Sequence, residues 1–205
     1  KFEDTNPWAN AEEKFAVGPY AVSDYYMESR KAQAHAMENA KQVILDVAKD
    51  FEKISGRKYG LIEEYKMDDA EYAMVIIGSA AGTAKEAVDE MREAGKKVGI
   101  IKIRSFRPFP GEEIATSLKK CKAVAVMDRC ESFSTNGGPV GAETMQAMYT
   151  NGCTAKAINI MYGIGGRDVT VGDMRGVYDT LEEIAKTGET GPTYRYMGLR
   201  DKEAK

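Results

Sequence analysis

The stretch Tyr72–Thr83, YAMVIIGSAAGT, joins a continuous apolar run to a turn of small residues and the start of a helical pattern. Three further apolar runs follow it along the chain: Val98–Arg104 (VGIIKIR), Ala123–Asp128 (AVAVMD) and Ala155–Tyr162 (AKAINIMY). Short apolar runs without alternation are typical of strands that are buried on both faces of a sheet. The four runs therefore predict the central strands of one parallel sheet.

Helical patterns separate these runs and follow the last one. They cover Thr83–Ala94, Glu112–Lys120, Gly138–Tyr149 and Val171–Lys186. Alternation of strands and helices favours a parallel sheet with right-handed crossovers and helices on both faces. We therefore expect a three-layer α/β/α domain with a mostly parallel sheet over residues 60–187, followed by a C-terminal tail over residues 188–205 that docks through its aromatic side chains.

Residues 1–59 form an N-terminal arm and a long connecting helix in this interpretation. Ser23–Ser55 contains no Pro or Gly, and its apolar residues recur at helical spacing: Met37, Ala40, Ile44, Val47, Phe51 and Ile54. Such a stripe predicts packing in the core or at an interface with another subunit. The aromatic residues of the arm, Trp8, Phe15 and Tyr20, are expected to pack on the domain or on a partner. Because the chain begins at Lys1, we expect a processed terminus, or else a fragment or nicked subunit.

The composition of the 205 residues excludes several classes of protein. With 29 basic and 32 acidic residues, the net charge of −3 argues against nucleic-acid binding. The apolar runs are too short to cross a bilayer, and no signal peptide is visible. Three cysteines without a Cys-x-x-Cys motif, and one histidine, predict no metal site built by this chain alone and fit a reducing cytoplasm.

Four arginines follow the predicted strands. Arg104 and Arg107 come after the second run, Arg129 after the third and Arg167 after the fourth. In open α/β sheets, ligands bind beyond the carboxyl ends of the strands, and arginine suits bidentate contacts with phosphate or carboxylate. The sequence therefore predicts that this arginine rim contacts an anion or a neighbouring subunit.

The turn after the first run offers a second candidate site, made of Gly78, Ser79, Gly82 and Thr83. Small residues before a helix allow a phosphate to approach the backbone closely, although the spacing matches neither the Gly-x-Gly-x-x-Gly nor the Walker pattern. The alternative is a plain tight turn in which Ser79 or Thr83 caps the helix. The loop Asp128–Pro139 is likewise expected to hold a phosphate or to become ordered on a partner.

No catalytic residue is predicted. Cys130 has no histidine nearby in sequence, and neither a paired carboxylate nor an activated nucleophile is visible. The residues by themselves predict a binding or docking domain, and they leave open a stand-alone α/β module that binds a nucleotide or acyl-CoA.

Five stretches together resemble the alpha subunit of pyruvate:ferredoxin oxidoreductase and related 2-oxoacid:ferredoxin oxidoreductases. They are SDYYMESRKAQAHAMENAKQVI (23–44), GLIEEYKMDDAEYAMVIIGSAAGTAKEAVDEMR (60–92), VGIIKIRSFRPFP (98–110), AVMDRCESFSTNGGPVGAE (125–143) and GIGGRDVTVGDM (163–174), and YMGLRD (196–201) is similar to the end of that subunit. The combination covers nearly the whole chain.

The resemblance implies a cytoplasmic thiamine diphosphate enzyme of anaerobic metabolism that contains Mg²⁺ and iron–sulfur clusters. Such an enzyme oxidatively decarboxylates a 2-oxoacid, here expected to be pyruvate, transfers the acyl group to coenzyme A and reduces ferredoxin. This chain would be its transketolase C-terminal-like domain, binding none of these cofactors alone, and its role would be assembly with the other subunits and formation of the active-site or coenzyme A cleft. The equivalent domain of another thiamine enzyme is a third interpretation, which the FRPFP and GIGGRDVT stretches disfavour.

Overall fold

The computed structural model describes residues 22–200. The aromatic residues predicted to pack from the arm, Trp8, Phe15 and Tyr20, lie outside the described residues. The chain divides into two compact units, residues 1–40 and 41–205. The second unit contains the sheet and every site discussed below.

Six strands form one sheet in the order β1-β3-β2-β4-β5-β6. Their bounds are β1 Ile62–Tyr65, β2 Tyr72–Ile77, β3 Val98–Ile103, β4 Ala123–Asp128, β5 Lys156–Met161 and β6 Tyr194–Tyr196. The four predicted strands are parallel: Tyr72 pairs with both Val98 and Ala123, and Ala123 pairs with Lys156. The predicted mostly parallel sheet is therefore confirmed.

Five helices accompany the strands among the described residues: α1 Tyr26–Ser55, α2 Ala80–Glu93, α3 Gly111–Leu118, α4 Pro139–Thr150 and α5 Val171–Thr187. One apolar cluster joins α2 and α5 to the sheet, and it includes Val88 and Tyr178. A second cluster joins α3 and α4 to the alternate strand residues, and it includes Ile114 and Val140. Because alternate residues of a strand face opposite sides, the two clusters lie on the two faces of the sheet. The three-layer α/β/α architecture is confirmed.

The sheet is wider than the sequence indicated, because it gains a strand at each edge. At one edge β1 runs antiparallel to β3, with Ile62 paired with Ile103. At the other edge β6, which belongs to the segment interpreted as a tail, runs parallel to β5 with Asn159 paired with Tyr194. The tail is thus attached to the domain by backbone hydrogen bonds, and the Tyr194 hydroxyl donates to Glu131 Oε1 over 3.0 Å.

Helix α1 ends at Ser55, and Gly56 follows it with a positive φ of 70° and an N–H that donates to the Glu52 carbonyl over 2.8 Å. No residue of α1 is buried. Within the unit 41–205, Val47 is 62% exposed and Ile54 is 86% exposed. The part of the predicted stripe that lies in this unit is therefore not part of the described core.

Candidate functional site

The carboxyl ends of β2, β4 and β5 open onto one cleft of about 260 Å³. Its walls are Ser79, Ala80, Thr83, Arg129, Tyr162, Gly166, Arg167, Asp168 and Val169. The structure therefore brings two of the four predicted arginines, Arg129 and Arg167, to the same place as the predicted turn. The parallel order of the strands explains this meeting, because their carboxyl ends share one edge of the sheet.

Helix α2 begins at this cleft without a side-chain cap. Ser79 occupies the N-cap position with φ −71° and ψ −30°, and its hydroxyl makes no capping hydrogen bond. The alternative prediction of a capped helix is wrong for Ser79, and Thr83 lies inside α2 rather than before it. Gly78 has a positive φ of 84°, which turns the chain from β2 into the helix. The first backbone N–H groups of α2 therefore give this wall of the cleft a partial positive charge.

Arg129 is held by the backbone at the end of β5. Its Nε donates to the Gly163 carbonyl oxygen over 3.1 Å. Gly163 has a positive φ of 61°, and a Cβ on it would lie 3.1 Å from this same Nε. The guanidinium is thus oriented by a neutral acceptor, and its charge is not neutralised by that contact.

Arg167 is oriented in a similar way from the other side of the cleft. Its Nη1 donates to the Gly198 carbonyl oxygen, in the segment after β6. Within residues 22–200, neither Arg129 nor Arg167 forms a salt bridge, whereas Asp168 is the carboxylate among the walls of the cleft. The side chains lining the cleft therefore carry an excess of positive charge.

A second cavity of about 530 Å³ adjoins the cleft. It shares Gly166, Arg167 and Asp168 with the cleft, and Arg200 is among its other walls. Arg200 was not among the site residues predicted from the sequence. The YMGLRD stretch, which resembles the family, contains Arg200. Its position beside Arg167, however, depends on the pairing of β6 with β5.

The other two predicted arginines lie elsewhere and are paired with carboxylates. Arg104 forms a salt bridge with Glu63 of β1, and its guanidinium lies 4.5 Å from the centroid of the Tyr59 ring. Arg107 donates from Nη2 to Glu143 Oε1 over 2.6 Å. Within the part of the chain that the structure describes, two arginines of the predicted rim lie in the cleft without a carboxylate partner, and the other two have one.

Asp128, the first residue of the loop that was expected to hold a phosphate, has a buried side chain. It is 1% exposed and accepts hydrogen bonds from the N–H groups of Val140, over 3.0 Å, and Gly141, over 2.8 Å. Asn159 donates to the same carboxylate and accepts from the Gly138 N–H, each over 2.8 Å. This network caps the N-terminus of α4 internally, which leaves the N-terminus of α2 as the helix end that faces the cleft.

The donor groups of the described residues do not fit an iron–sulfur cluster or a metal ion. Cys121, Cys130 and Cys153 are free, and no group of three or more His, Cys, Asp or Glu side chains among residues 22–200 could hold a metal. Burial raises the pKa of the Cys130 thiol, with a further increase from the charge of Asp128. A raised thiol pKa does not favour a nucleophile. No helix in the described part of the chain is long and apolar enough to span a membrane.

Comparison with known proteins identifies the family. The chain belongs to the family of pyruvate:ferredoxin oxidoreductase core domain II, whose family model matches residues 70–174. The matched segment contains β2 to β5 and all the arginines of the predicted rim. The resemblance recognised in the sequence is therefore confirmed.

Individual relatives extend this similarity over most of the chain. The chain is 39% identical to pyruvate synthase subunit PorA of Thermotoga maritima, over 95% of this chain and 49% of that protein. It is 43% identical to the alpha subunit of NADH-dependent phenylglyoxylate dehydrogenase of Aromatoleum evansii, over 82% of this chain and 40% of that protein. It is 40% identical to ketoisovalerate oxidoreductase subunit VorA of Pyrococcus abyssi, over 94% of this chain and 49% of that protein. The chain thus spans about half the length of these relatives or less.

Proposed function

We propose that this chain is the C-terminal, transketolase C-terminal-like domain of the alpha chain of a 2-oxoacid:ferredoxin oxidoreductase. The complex would convert pyruvate and coenzyme A to acetyl-CoA and CO₂ and would reduce ferredoxin. The observation that carries the proposal is the 39% identity to a pyruvate synthase subunit over 95% of the chain. A stand-alone module that binds a nucleotide or acyl-CoA is not favoured, because the relatives are named as subunits of oxidoreductases.

Pyruvate is the substrate that we propose, within the broader class of 2-oxoacids. Relatives from Thermotoga maritima and Methanocaldococcus jannaschii are named as pyruvate synthase subunits. Other relatives of similar identity carry the names of phenylglyoxylate and ketoisovalerate, which are also 2-oxoacids. A panel of these three acids, assayed with ferredoxin and with NAD as acceptors, tests both the substrate and the acceptor.

Thiamine diphosphate, Mg²⁺ and the iron–sulfur clusters belong to other parts of the complex in this proposal. Residues 1–59 act as the connecting arm and helix, residues 60–187 as the α/β domain and residues 188–205 as the C-terminal tail. The partners are the other subunits, with coenzyme A and ferredoxin binding to the complex, and the location is the cytoplasm. The part played by this chain is assembly and the formation of one wall of a cleft.

The exposed stripe of α1 supports the assembly role. Val47 and Ile54 are largely exposed although they are apolar, and Phe51 is 45% exposed beside Tyr59, with ring centroids 5.8 Å apart. Contiguous exposed apolar side chains mark surfaces that other proteins cover. Arg104, stacked on Tyr59, extends this surface toward the sheet.

Native mass spectrometry of the protein purified from its source tests the proposal. We expect the 22.5 kDa chain, or a longer chain that contains it, in an assembly that carries the mass of thiamine diphosphate and iron–sulfur clusters. That assembly should reduce ferredoxin only when pyruvate and coenzyme A are both present. Recovery of the chain alone and without cofactors from a gentle preparation would contradict the proposal.

A matched pair of variants on α1 tests the interface directly. Val47→Gln places a polar side chain in the apolar stripe, whereas Lys49→Gln introduces the same glutamine at an exposed polar position of the helix. We expect Val47→Gln to lower the assembled fraction at limiting subunit concentration and Lys49→Gln to leave it unchanged. Equal assembly of both variants would remove α1 from the interface.

A further inference from the structure

We propose that the cleft between Arg129 and Arg167 binds the phosphate group of a coenzyme or nucleotide. This inference goes beyond the assembly role, and it rests on the geometry of this chain's own residues. It also separates the two cleft arginines from Arg104 and Arg107, which the sequence had grouped with them.

The state of the two guanidinium groups is the first argument. Arg129 uses Nε, and Arg167 uses Nη1, to donate to the backbone carbonyls of Gly163 and Gly198. A guanidinium carries five N–H donors, so each arginine is fixed in place and keeps donors for a ligand. In contrast, Arg104 and Arg107 form salt bridges with Glu63 and Glu143. Two oriented cations that have no carboxylate partner within residues 22–200 favour an anionic ligand at this cleft.

Ser79, Thr83 and Tyr162 supply neutral donors to the cleft, whereas the Asp168 carboxylate opposes an anion and is outweighed by the two guanidinium charges. The uncapped start of α2 presents backbone N–H groups, and Ser79 and Thr83 add hydroxyl groups to the same wall. Tyr162 is 3% exposed, and its burial raises the pKa of its phenol, which therefore remains a donor. A phosphate group has three or four oxygens that accept hydrogen bonds, whereas a carboxylate has two. A phosphate therefore matches this set of donors better than a carboxylate does.

The dimensions of the two cavities fit a ligand that is larger than a single phosphate. The cleft of about 260 Å³ falls just below the range of about 300–1,000 Å³ typical of sites for whole ligands. The adjoining cavity of about 530 Å³ continues past Arg167 to Arg200. One phosphate would lie between Arg129 and Arg167, and the rest of a phosphate ester or diphosphate would extend toward Arg200.

Isothermal titration calorimetry with inorganic pyrophosphate tests the site. The protein is the holoenzyme assembly, saturated with thiamine diphosphate so that its other diphosphate site is occupied. We expect saturable binding of pyrophosphate to the unaltered protein. The dissociation constant should rise by about tenfold or more in Arg129→Gln and in Arg167→Gln, because each variant loses charge-assisted hydrogen bonds. Arg107→Gln is the matched control, with the same loss of charge outside the cleft, and it should bind like the unaltered protein.

Three results would overturn the proposal. The first is the absence of saturable binding to the unaltered protein, and the second is an unchanged affinity in Arg129→Gln and Arg167→Gln. The third is an equal loss of affinity in Arg107→Gln, which would show that only the overall charge matters. Arg129→Lys controls for misfolding, because it keeps the positive charge and removes the planar guanidinium group. We expect its melting temperature to match that of the unaltered protein. It should bind pyrophosphate more weakly than the unaltered protein but more tightly than Arg129→Gln.

Further titrations distinguish the sources of the phosphate. Coenzyme A and ADP are compared with pyrophosphate, and the ligand whose affinity depends most strongly on Arg129 and Arg167 identifies the source. Failure of this proposal is separable from failure of the proposed function. Absence of phosphate binding leaves the mass and the pyruvate-dependent activity of the assembly unchanged, whereas absence of that activity leaves the pyrophosphate titration interpretable.

Discussion

A Cβ atom placed on Gly138 would lie 2.1 Å from Cγ of Asp128. The approach is this close because the N-terminus of α4 rests directly on the buried carboxylate, which accepts hydrogen bonds from the N–H groups of Val140 and Gly141. Gly141 makes a comparable approach to Asn159, with a distance of 2.4 Å from its added Cβ to Cγ. These two glycines therefore have a structural explanation within the chain, namely close packing of a helix end on a polar pair.

Gly138→Ala is expected to destabilise the fold by about 2 kcal/mol, because overpacking a closely packed site costs about 1–3 kcal/mol. The φ of Gly138 is −90°, so the cost comes from the contact with Asp128 and not from backbone strain. Urea unfolding followed by circular dichroism measures the change. Gly176→Ala in α5 is the control, since a Cβ there meets nothing within 4 Å and should stabilise the helix by up to about 1 kcal/mol. Equal stabilities of the two variants would contradict the packing argument.

Thr170→Ala should lower the free energy of unfolding by about 1 kcal/mol, within the range for loss of an N-cap. Thr170 and Asp173 form a reciprocal capping box at the start of α5: the Asp173 N–H donates to Thr170 Oγ1 over 3.1 Å, and the Thr170 N–H donates to Asp173 Oδ2 over 2.8 Å. The urea midpoint measures the loss.

Thr170→Ser keeps the capping hydroxyl and should recover most of that stability. Thr180→Ala provides a second comparison, because the Thr180 hydroxyl donates to a carbonyl within α5 and caps nothing. A loss in Thr180→Ala as large as that in Thr170→Ala would argue against a capping effect.

The ion pairs of Glu63 should make the stability of the fold depend on pH. Its hydrogen bond from Lys85 is the main cause that lowers the pKa of the carboxyl, and the charge of Arg104 lowers it further. A lowered folded-state pKa means that the stabilisation is complete above the unfolded-state value of about 4.3 and is lost as the pH falls through the folded-state value.

The difference in unfolding free energy between the unaltered protein and Glu63→Gln should therefore be constant from about pH 7 to pH 5 and should shrink below about pH 4. Urea titrations across this pH range measure it. A difference that grows as the pH falls would have the wrong sign for this ion pair.

Cys121 and Cys130 should differ in the rate at which their thiols are labelled. Burial, with a smaller contribution from the charge of Cys153, raises the pKa of Cys121 to about 12. At pH 8 its thiolate fraction is then at least about a hundredfold below that of an unperturbed cysteine. Peptide mapping after timed iodoacetamide treatment should show Cys130 labelled first in the folded chain, and Cys121 labelled quickly only after unfolding in urea. Rapid labelling of Cys121 in the folded chain would contradict its burial.

The central strands could be predicted because each is a continuous apolar run, which is how a strand buried on both faces appears in sequence. The edge strands could not be predicted in the same way. β1 is four residues long with two glutamates in its centre, and β6 is three residues long, so neither has the apolar run or the length that identifies a strand. Both segments form strands because each pairs with a neighbouring strand of the sheet.

The candidate site was predicted in part for a similar reason. The positions of Arg104, Arg107, Arg129 and Arg167 at strand ends follow from the order of the elements. Whether each arginine has a carboxylate partner does not, because Glu63 lies 41 residues before Arg104 and Glu143 lies 36 residues after Arg107. Arg200 could not be placed without β6. Long-range packing therefore decides which predicted cations are available to a ligand.

The strand β1 also limits how copies or subunits can join. It occupies one edge of the sheet, where Glu63 is paired with Lys85 and Arg104 and Glu64 is exposed. A foreign strand added at this edge would have to cover two carboxylates, and charged edge residues are a common protection against such additions. The opposite edge offers only the three residues of β6. Growth of the sheet from chain to chain, including aggregation by strand addition, is therefore disfavoured at both edges.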